Sequence, residues 1–325
     1  GATAVMDNPL VAVGAATRAS NALYVLWRYI LLSFIPWPLS ADYSFDAIPV
    51  LPAFAWRNLL AAGLLAGLGF GLWRWSRRSR AVGFAGGFFV LTFLLVSNLP
   101  FPVGVMMAER FMYLPSVGFC LLAASALTSL LSPWAAKASA AAVLVAFTAL
   151  GWLRDGDWRS DSAIFLRTMK TSPRAARALV NGGQVLLDLG RFEEARDANL
   201  EALRLARPAA GSPLAHLSAS SSTLAGFSDQ FPLPYSNLGI AYMRLGDLPR
   251  AEAALQDALR RDPDYIDAWV NLGIVFAMGR RLDGAISAFE RGAALVPDPS
   301  QEPHLYKLYY NLALALRQKG EFTQA

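Results

Sequence analysis

Two stretches decide the fold: residues 235–263, YSNLGIAYMRLGDLPRAEAALQDALRRDP, and residues 269–297, WVNLGIVFAMGRRLDGAISAFERGAALVP. They superpose without a gap at a spacing of 34 residues, so that Asn237 coincides with Asn271. A fixed period of this length indicates a solenoid of helix pairs, in which each repeat buries its apolar face against its neighbours. The second half of the chain is therefore predicted to be an α-solenoid.

The period and the residue types at fixed places are those of the tetratricopeptide repeat (TPR). Glycine and alanine occupy places where two helices approach closely, large side chains fill the space between them, and proline begins the next turn. The residues predicted to pack in this way are Tyr235, Trp269, Gly239, Gly273, Ala251, Ala285, Pro263 and Pro297. Arg280 departs from the pattern, because it stands where glycine would form the turn of its repeat.

Further copies extend the array in both directions. An earlier copy begins at Ala178 and a later one at Tyr309, while residues 160–173 resemble the second helix of a repeat. Residues 209–234 interrupt the period and are rich in serine, alanine and proline, which predicts a flexible insert. The predicted solenoid covers residues 154–325.

The first half of the chain has a different composition. The whole chain is 55% hydrophobic and 16% charged, with a mean hydropathy of +0.36, which is too apolar for a soluble domain. Residues 1–153 hold nine Lys and Arg against four Asp and Glu, whereas the remainder holds twenty of each. The net charge of +5 is therefore attributed to loops that set membrane topology, and nucleic acid is excluded as a partner.

Four apolar segments approach the roughly 20 residues that cross a bilayer: 57–73, 81–99, 114–132 and 137–153. Residues 1–153 are accordingly predicted to be a membrane domain. A fifth apolar segment, 20–39, contains Arg28 in its middle and several aromatic residues. Because a charge at the bilayer centre is costly, this segment is predicted to be an interfacial or re-entrant helix, with a full span as the alternative.

The loop between the first two predicted spans is strongly basic. Its sequence, WRWSRRSR at residues 73–80, contains four arginines, whereas the loop at 100–113 contains only Arg110. Arginine-rich loops remain on the cytosolic side of membranes. Alternating the spans from there places residues 100–113 and everything after Leu153 on the opposite side. The TPR half is therefore predicted to be lumenal or periplasmic.

Short polar motifs lie on the predicted external side of the spans. They are the Asp7-Asn8-Pro9 turn with Thr17-Arg18, ADYSFDAIP at 41–49, and SNLPFPVGVMMAERFMYLPSVGFC at 97–120. In this order, followed by Asp157-Trp158 and the repeats, they resemble the TMTC family of transmembrane and TPR-containing protein O-mannosyltransferases. The resemblance extends over nearly the whole chain.

The resemblance implies a partial GT-C-type glycosyltransferase that moves mannose from a dolichyl- or polyprenyl-phosphate donor to Ser or Thr of proteins. That lipid-linked sugar is the only cosubstrate expected, and the TPRs would bind an acceptor or partner protein. The family's acidic catalytic pair lies upstream of Gly1, so the chain is expected to be a fragment without catalytic residues. The membrane would be the endoplasmic reticulum in a eukaryote and the plasma membrane in a bacterium.

Several residues are candidates for this site. A guanidinium forms a bidentate, permanently charged fork for phosphate, so Arg110, Arg18 and Arg28 are candidates for the donor phosphate. For Arg110 the alternatives are an ion pair with Glu109 or contact with lipid headgroups. Candidates for lining the site are Asp7, Asn8, Asp42, Asp46 and Glu109, with the capping of loops as the alternative. No metal site is expected, because the possible ligands are too few.

Two other classes of protein remain as alternatives. In a membrane-anchored TPR scaffold, the spans would only tether a peptide-binding groove. Such a scaffold needs no polar motifs between its spans, and this chain has three. A transporter would be expected to have charged or broken helices within its spans, and segments 57–73 and 114–132 have neither.

Overall fold

The computed structural model describes residues 8–41, 43, 47–206, 212–214, 232–295 and 306–320. In these residues the regular elements are helices only, which confirms the predicted all-α class. The described residues form two compact units, one up to Ala178 and one from Leu179 onward, with 212–214 grouped with the first. The helix predicted to open the solenoid, within 160–173, groups with the first unit.

The first unit consists of α1 (Ala15–Phe34), α2 (Trp56–Ser76), α3 (Arg80–Leu94), α4 (Pro115–Leu130), α5 (Pro133–Asp155) and α6 (Asp161–Thr171), with 3-10 turns at Pro9–Ala12, Glu109–Met112 and Gly156–Trp158. Serine hydroxyls cap the first turns of three of these helices, where Ser79, Ser132 and Ser160 each accept from a backbone N–H three residues later. Such caps satisfy N–H groups that a helix leaves without partners at its start.

Two helices are long and apolar enough to cross a membrane. They are α2 and the helix that begins with α5 and runs to Trp158, and they contain the predicted spans 57–73 and 137–153. The other two predicted spans correspond to shorter apolar helices, since α3 has 15 residues and α4 has 16. In particular, α3 ends at Leu94, whereas the span was predicted to continue to Leu99.

Large apolar side chains on α2 and α5 project away from the rest of the first unit. Phe70 on α2 and Leu144, Val145 and Trp152 on α5 all have more than half of their surface exposed. Soluble helices usually bury such side chains against a core. The outward faces of these helices therefore have the composition of a lipid-facing surface.

A close crossing joins α3 and α4. A Cβ atom on Gly118 would lie 2.8 Å from both the Ala85 carbonyl oxygen and the Phe89 backbone nitrogen. Backbone atoms cannot move aside as a flexible side chain can, so only glycine allows this approach. The crossing makes α3 and α4 a closely packed pair of helices.

The segment predicted at 20–39 forms most of α1, which continues without interruption to Phe34 and packs against α2. Tyr29 on α1 makes an edge-to-face contact with Phe93 of α3, with ring centroids 5.3 Å apart. Beyond Phe34 the chain leaves the helix. The position of α1 relative to a membrane stays a prediction.

The second unit contains most of α7 (Ala176–Asp188), followed by α8 (Phe192–Leu205), α9 (Leu233–Arg244), α10 (Leu248–Arg261), α11 (Ile266–Met278), α12 (Leu282–Ala294) and α13 (Tyr306–Lys319). Neighbouring helices pair as the repeat predicts, with α9 against α10 and α11 against α12. The serine-rich insert predicted at 209–234 lies mostly outside the described residues.

The repeats pack through glycine and a large side chain. A Cβ atom on Gly239 would lie 2.5 Å from Leu255, and one on Gly273 would lie 2.5 Å from the Phe289 ring. Ala251 and Ala285 are fully buried, whereas Tyr235 and Trp269 are half-buried. The Trp269 indole N–H donates to the Pro263 carbonyl oxygen at 2.8 Å. Pro297 lies outside the described residues.

The turns within the repeats require a left-handed backbone. Gly190, Gly246 and Gly320 have φ angles of 73°, 83° and 89°. Arg280 occupies the equivalent turn with a φ of 58°. A side chain with a Cβ atom is strained by roughly 1 kcal/mol in this conformation, so the substitution noted in the sequence is tolerated at a local cost.

Candidate functional site

Two buried asparagines shape the loop between α3 and α4. The Asn8 amide donates to Asn98 Oδ1 and to the Val103 carbonyl, each at 2.7 Å, and Asn8 Oδ1 accepts from the Leu10 N–H at 3.1 Å. Asn98 accepts from the Val103 N–H at 2.9 Å and has a φ of 61°, a conformation that asparagine tolerates better than most residues. Asn8 is completely buried, and its side-chain hydrogen bonds hold this loop in place.

A third asparagine fastens the segment before α2 to α1. Asn21 donates to the Leu51 carbonyl at 2.8 Å and accepts from the Leu51 N–H at 2.9 Å. The side chain of Asn21 therefore pairs with the backbone of Leu51 as a neighbouring strand would. Asn8, before α1, thus holds the loop between α3 and α4, and Asn21, on α1, holds the segment before α2, through hydrogen bonds that are costly to break.

Tyr29 sets the position of the AERF motif. Its hydroxyl accepts from the Ala108 N–H at 2.7 Å and donates to the Ala108 carbonyl at 3.0 Å. The ring is buried among apolar groups, with 2% of its surface exposed. Because Ala108 precedes the 3-10 turn Glu109–Met112, this contact fixes where that turn begins.

The Glu109 carboxylate joins three separate segments of the first unit. One oxygen accepts from the Ser40 N–H at 2.7 Å and from the Tyr43 hydroxyl at 3.0 Å. The other accepts from the Arg154 guanidinium at 2.8 Å. The segment after α1, the loop before α4 and the end of α5 therefore meet at one carboxylate, as expected for segments predicted on the same side of the spans.

Burial changes the acid–base properties of this cluster. It raises the pKa of Glu109, and the Arg154 guanidinium opposes that shift, followed by the Ser40 N–H and the Tyr43 hydroxyl. Burial and the neighbouring Glu109 charge both raise the pKa of Tyr43. Tyr43 therefore stays protonated at neutral pH and donates its hydrogen bond to Glu109.

The partner of Glu109 is not the one considered from the sequence. Its ion pair is with Arg154, 45 residues away, and not with its neighbour Arg110. Arg110 is exposed and lies over the Phe111 ring, 5.7 Å from the ring centroid. The alternative in which Glu109 neutralises Arg110 is wrong, because Arg154 occupies that carboxylate. The Arg110 guanidinium therefore forms no ion pair with Glu109.

The three candidate arginines are not all close together. Arg110 directly follows Glu109, and Arg28 directly precedes Tyr29, whose hydroxyl binds the Ala108 backbone. Both therefore lie beside the Glu109 cluster. Arg18 is ten residues before Arg28 on α1, and a rise of 1.5 Å per residue separates them by about 15 Å along the helix.

Three of the other candidates, Asp7, Asp42 and Asp46, lie outside the described residues. Tyr43, between two of them, is described and is bound to Glu109. Among the residues that the structure describes, no three His, Cys, Asp or Glu side chains gather in a way that could hold a metal ion.

Helix α6 is attached to the same cluster. The Ser172 hydroxyl, at the end of α6, donates to the Ser40 hydroxyl at 2.7 Å, and Ser40 is the residue whose N–H binds Glu109. Arg167 of α6 lies 5.5 Å from the Trp37 ring centroid. These contacts lie within the first unit and were not predicted from the sequence.

Comparison with protein families finds two matches. The family described as Protein O-mannosyl-transferase TMTC matches residues 4–69, which contain α1 and the segment that carries Ser40 and Tyr43. The tetratricopeptide repeat matches residues 135–213 and 236–302.

Curated relatives extend the likeness to most of the chain. Protein O-mannosyl-transferase Tmtc3 of Drosophila melanogaster is 28% identical over 90% of this chain, and TMTC3 of Mus musculus is 27% identical over 91%. The resemblance to the TMTC family is confirmed. TMTC4 of Mus musculus is 33% identical over 57% of the chain. The chain spans about a third or less of these TMTC relatives, 32%, 32% and 26% respectively.

Solved structures with TPRs are also similar. The crystal structure of MamA is 21% identical with a TM-score of 0.36, covering 49% of this chain and 77% of that one. The thermophilic TPR protein TTC0263 of Thermus thermophilus is 24% identical with a TM-score of 0.34, covering 55% and 86%.

Proposed function

We propose that this chain is part of a membrane glycosyltransferase that transfers mannose from a polyprenyl-phosphate donor to Ser or Thr of proteins. The observation that carries the proposal is the exposed Arg110 guanidinium, which adjoins the Glu109 cluster of a TMTC-like chain and has no ion-pair partner among the described residues. A lipid-linked phosphate presents its charge at the end of the apolar helices. The guanidinium of an exposed arginine at the end of these helices is suited to bind that phosphate.

The catalytic carboxylates are proposed to lie upstream of Gly1. Glu109, the described carboxylate of this cluster, already accepts three hydrogen bonds through its two oxygens. A general base must be free to accept a proton from the attacking hydroxyl. Glu109 is therefore assigned a positioning role, in which it holds the loops around Arg110.

The TPR half is proposed to bind the acceptor or a partner protein on the external side of the membrane, in the endoplasmic reticulum or at a bacterial plasma membrane. The 73–80 loop would then be cytosolic. Ser40, Glu109 and Arg154 already meet at one end of the helices, as this arrangement requires. A TPR scaffold without catalysis is the alternative, and it predicts no donor-dependent activity.

The orientation predicts which side of a membrane each cysteine label reaches. The test uses a Cys120→Ser background and sealed vesicles whose outer face is the non-cytosolic side of the membrane. Ser79→Cys should react with a membrane-impermeant maleimide only after the vesicles are permeabilised. Arg291→Cys, on the exposed surface of α12, should react from the opposite side. Labelling of both from the same side would contradict the topology.

Arg110 tests the phosphate proposal. In a protein that contains the upstream segment, Arg110→Ala should lower transfer from the lipid-linked donor about 100-fold, the effect of removing one charged group from a phosphate site. Arg110→Lys keeps the charge but loses the bidentate fork, so it should lower transfer about 10-fold. The measurement is kcat/KM for the donor with purified protein.

The matched control is Arg159→Ala, which removes another exposed arginine, just after the end of α5. Its transfer should stay near that of the wild type. Normal transfer by Arg110→Lys, with loss in Arg110→Ala, would mean that Arg110 only anchors its loop at the headgroups. Absence of transfer by the wild type would favour the scaffold.

A further inference from the structure

The end of the first unit opposite Glu109 has positive charge without carboxylates. Four arginines, which we call the arginine loop, lie around the turn from α2 to α3: Arg74 in the last turn of α2, Arg77 and Arg78 in the turn, and Arg80 as the first residue of α3. The sequence from Ala47 to Ala108 has no Asp or Glu, and neither has the sequence from Arg110 to Arg154. No acidic residue on α2, α3 or α4 therefore neutralises this loop.

The side chains of the arginine loop are exposed and have few partners. All four residues are exposed, and among the described residues Arg74, Arg78 and Arg80 make no side-chain hydrogen bond or ion pair. Arg77 lies over the Trp73 ring at 5.9 Å, a contact that leaves its charge without a counterion. The concentrated charge therefore needs anions from outside the chain.

Several arginines elsewhere in the chain are paired with carboxylates within it. In the TPR half, Arg191 binds Glu194 at 2.6 Å and Arg281 binds Glu252 at 2.5 Å. Arg154, at the other end of the apolar helices, binds Glu109 at 2.8 Å. The lack of carboxylates is therefore a property of one end of the membrane helices and not a general feature of this chain.

Aromatic residues indicate what surrounds the arginine loop. Trp73 lies at the end of α2 and Trp134 at the start of α5, and both are mostly exposed. The predicted alternation of the spans places the short turn before α5, with Lys137, at this same end. Exposed tryptophans beside basic residues at the ends of apolar helices are typical of the headgroup layer of a bilayer.

We propose that the arginine loop, with Lys137, binds the phosphate groups of anionic phospholipids and prefers them to zwitterionic lipids. Multivalent attraction between basic residues and an anionic headgroup layer supplies the missing counterions. The inference rests on the proposal that α2 and α5 span a membrane, and it is independent of sugar transfer.

The test compares lipids retained by the purified chain of residues 1–325 in detergent. The chain is mixed with equal amounts of phosphatidylglycerol and phosphatidylcholine, and retained lipids are counted by native mass spectrometry. Wild type should retain at least about 10-fold more phosphatidylglycerol. Each arginine near an anionic surface contributes about five-fold, so the R77Q/R78Q/R80Q variant should lose nearly all of the preference.

Two control variants make the result specific. R77K/R78K/R80K keeps the charges and should keep the preference, because attraction to a headgroup layer does not need the guanidinium fork. R291Q/K307Q/R317Q removes three exposed charges from the TPR half and should also keep it.

Equal retention of both lipids by the wild type would overturn the proposal, as would an unchanged preference in R77Q/R78Q/R80Q or an equal loss in R291Q/K307Q/R317Q. Extraction of the chain from membranes by alkaline carbonate would instead refute the membrane proposal. Stable membrane association without a lipid preference would refute this inference alone.

Discussion

Replacing Phe289 with alanine is expected to lower the free energy of unfolding of the TPR half by about 3–5 kcal/mol, the range for removing a buried aromatic ring. Phe289 has 1% of its surface exposed, and its ring lies against Gly273 in the space between α11 and α12. Removing the ring leaves a cavity between these two helices, which closes only if they move. Urea unfolding of residues 160–325, followed by circular dichroism, measures the loss.

Two variants in the same repeat provide the comparison. Met278→Ala removes an apolar side chain with 52% of its surface exposed and should change stability by about 0.5 kcal/mol or less. Trp269→Ala should cost less than Phe289→Ala, because Trp269 is only half-buried. Equal effects of Phe289→Ala and Met278→Ala would contradict the assignment of Phe289 to the core of the repeat.

The repeat was predictable from sequence because its signal is local and periodic. Gly239 and Gly273 recur at a spacing of 34 residues, and each allows the close approach of one large side chain, Leu255 or Phe289. The first repeat departs from this rule. There Asn199 lies against Gly183 in the equivalent place, donating to the Ala195 carbonyl at 2.8 Å and accepting from Asn237 at 3.2 Å.

The hydrogen bonds that allow an asparagine at position 199 could not be predicted from the pattern of the two later repeats. A buried asparagine is tolerated only where the surrounding groups complete its hydrogen bonds. Asn237 supplies one of them from the other side of the insert, since it belongs to α9 and Asn199 to α8. Asn199 meets Asn237 only because α9 packs against α8 after the insert. The local repeat pattern does not determine that packing.

The segments that meet at Glu109 were predicted on the same side of the spans, but their contacts were not predicted. Counting spans from the basic loop placed residues 41–49, 100–113 and 154 onward on one side, and Tyr43, Glu109 and Arg154 do meet. The sequence offered an ion pair between Glu109 and Arg110 as one alternative for Arg110, and Arg154 was not considered. The actual pair depends on where α5 ends relative to the loop before α4, which is a property of packing.

Arg154→Leu is expected to have the second large effect, because it leaves the Glu109 carboxylate with neutral donors only. Removing one member of a buried ion pair costs about 3–5 kcal/mol, but these side chains are 23% and 26% exposed, so about 2 kcal/mol is expected. The segment at Ser40 and Tyr43 should loosen, and displacement of a positioned group by about 1 Å lowers rates by up to about 100-fold. Thermal unfolding in detergent and transfer from the lipid-linked donor measure both effects.

The double variant Glu109→Gln/Arg154→Leu separates the ion pair from the rest of the network. With the carboxylate removed as well, no buried charge is left unpaired, so stability should recover by more than half while transfer stays low. Arg159→Leu, which changes the same charge at an exposed position, should alter neither property. If Arg154→Leu left transfer unchanged, Glu109 would hold the loops without any effect on the site. If the double variant restored transfer completely, the geometry around Arg110 would depend on charge balance and not on the three hydrogen bonds that Glu109 accepts.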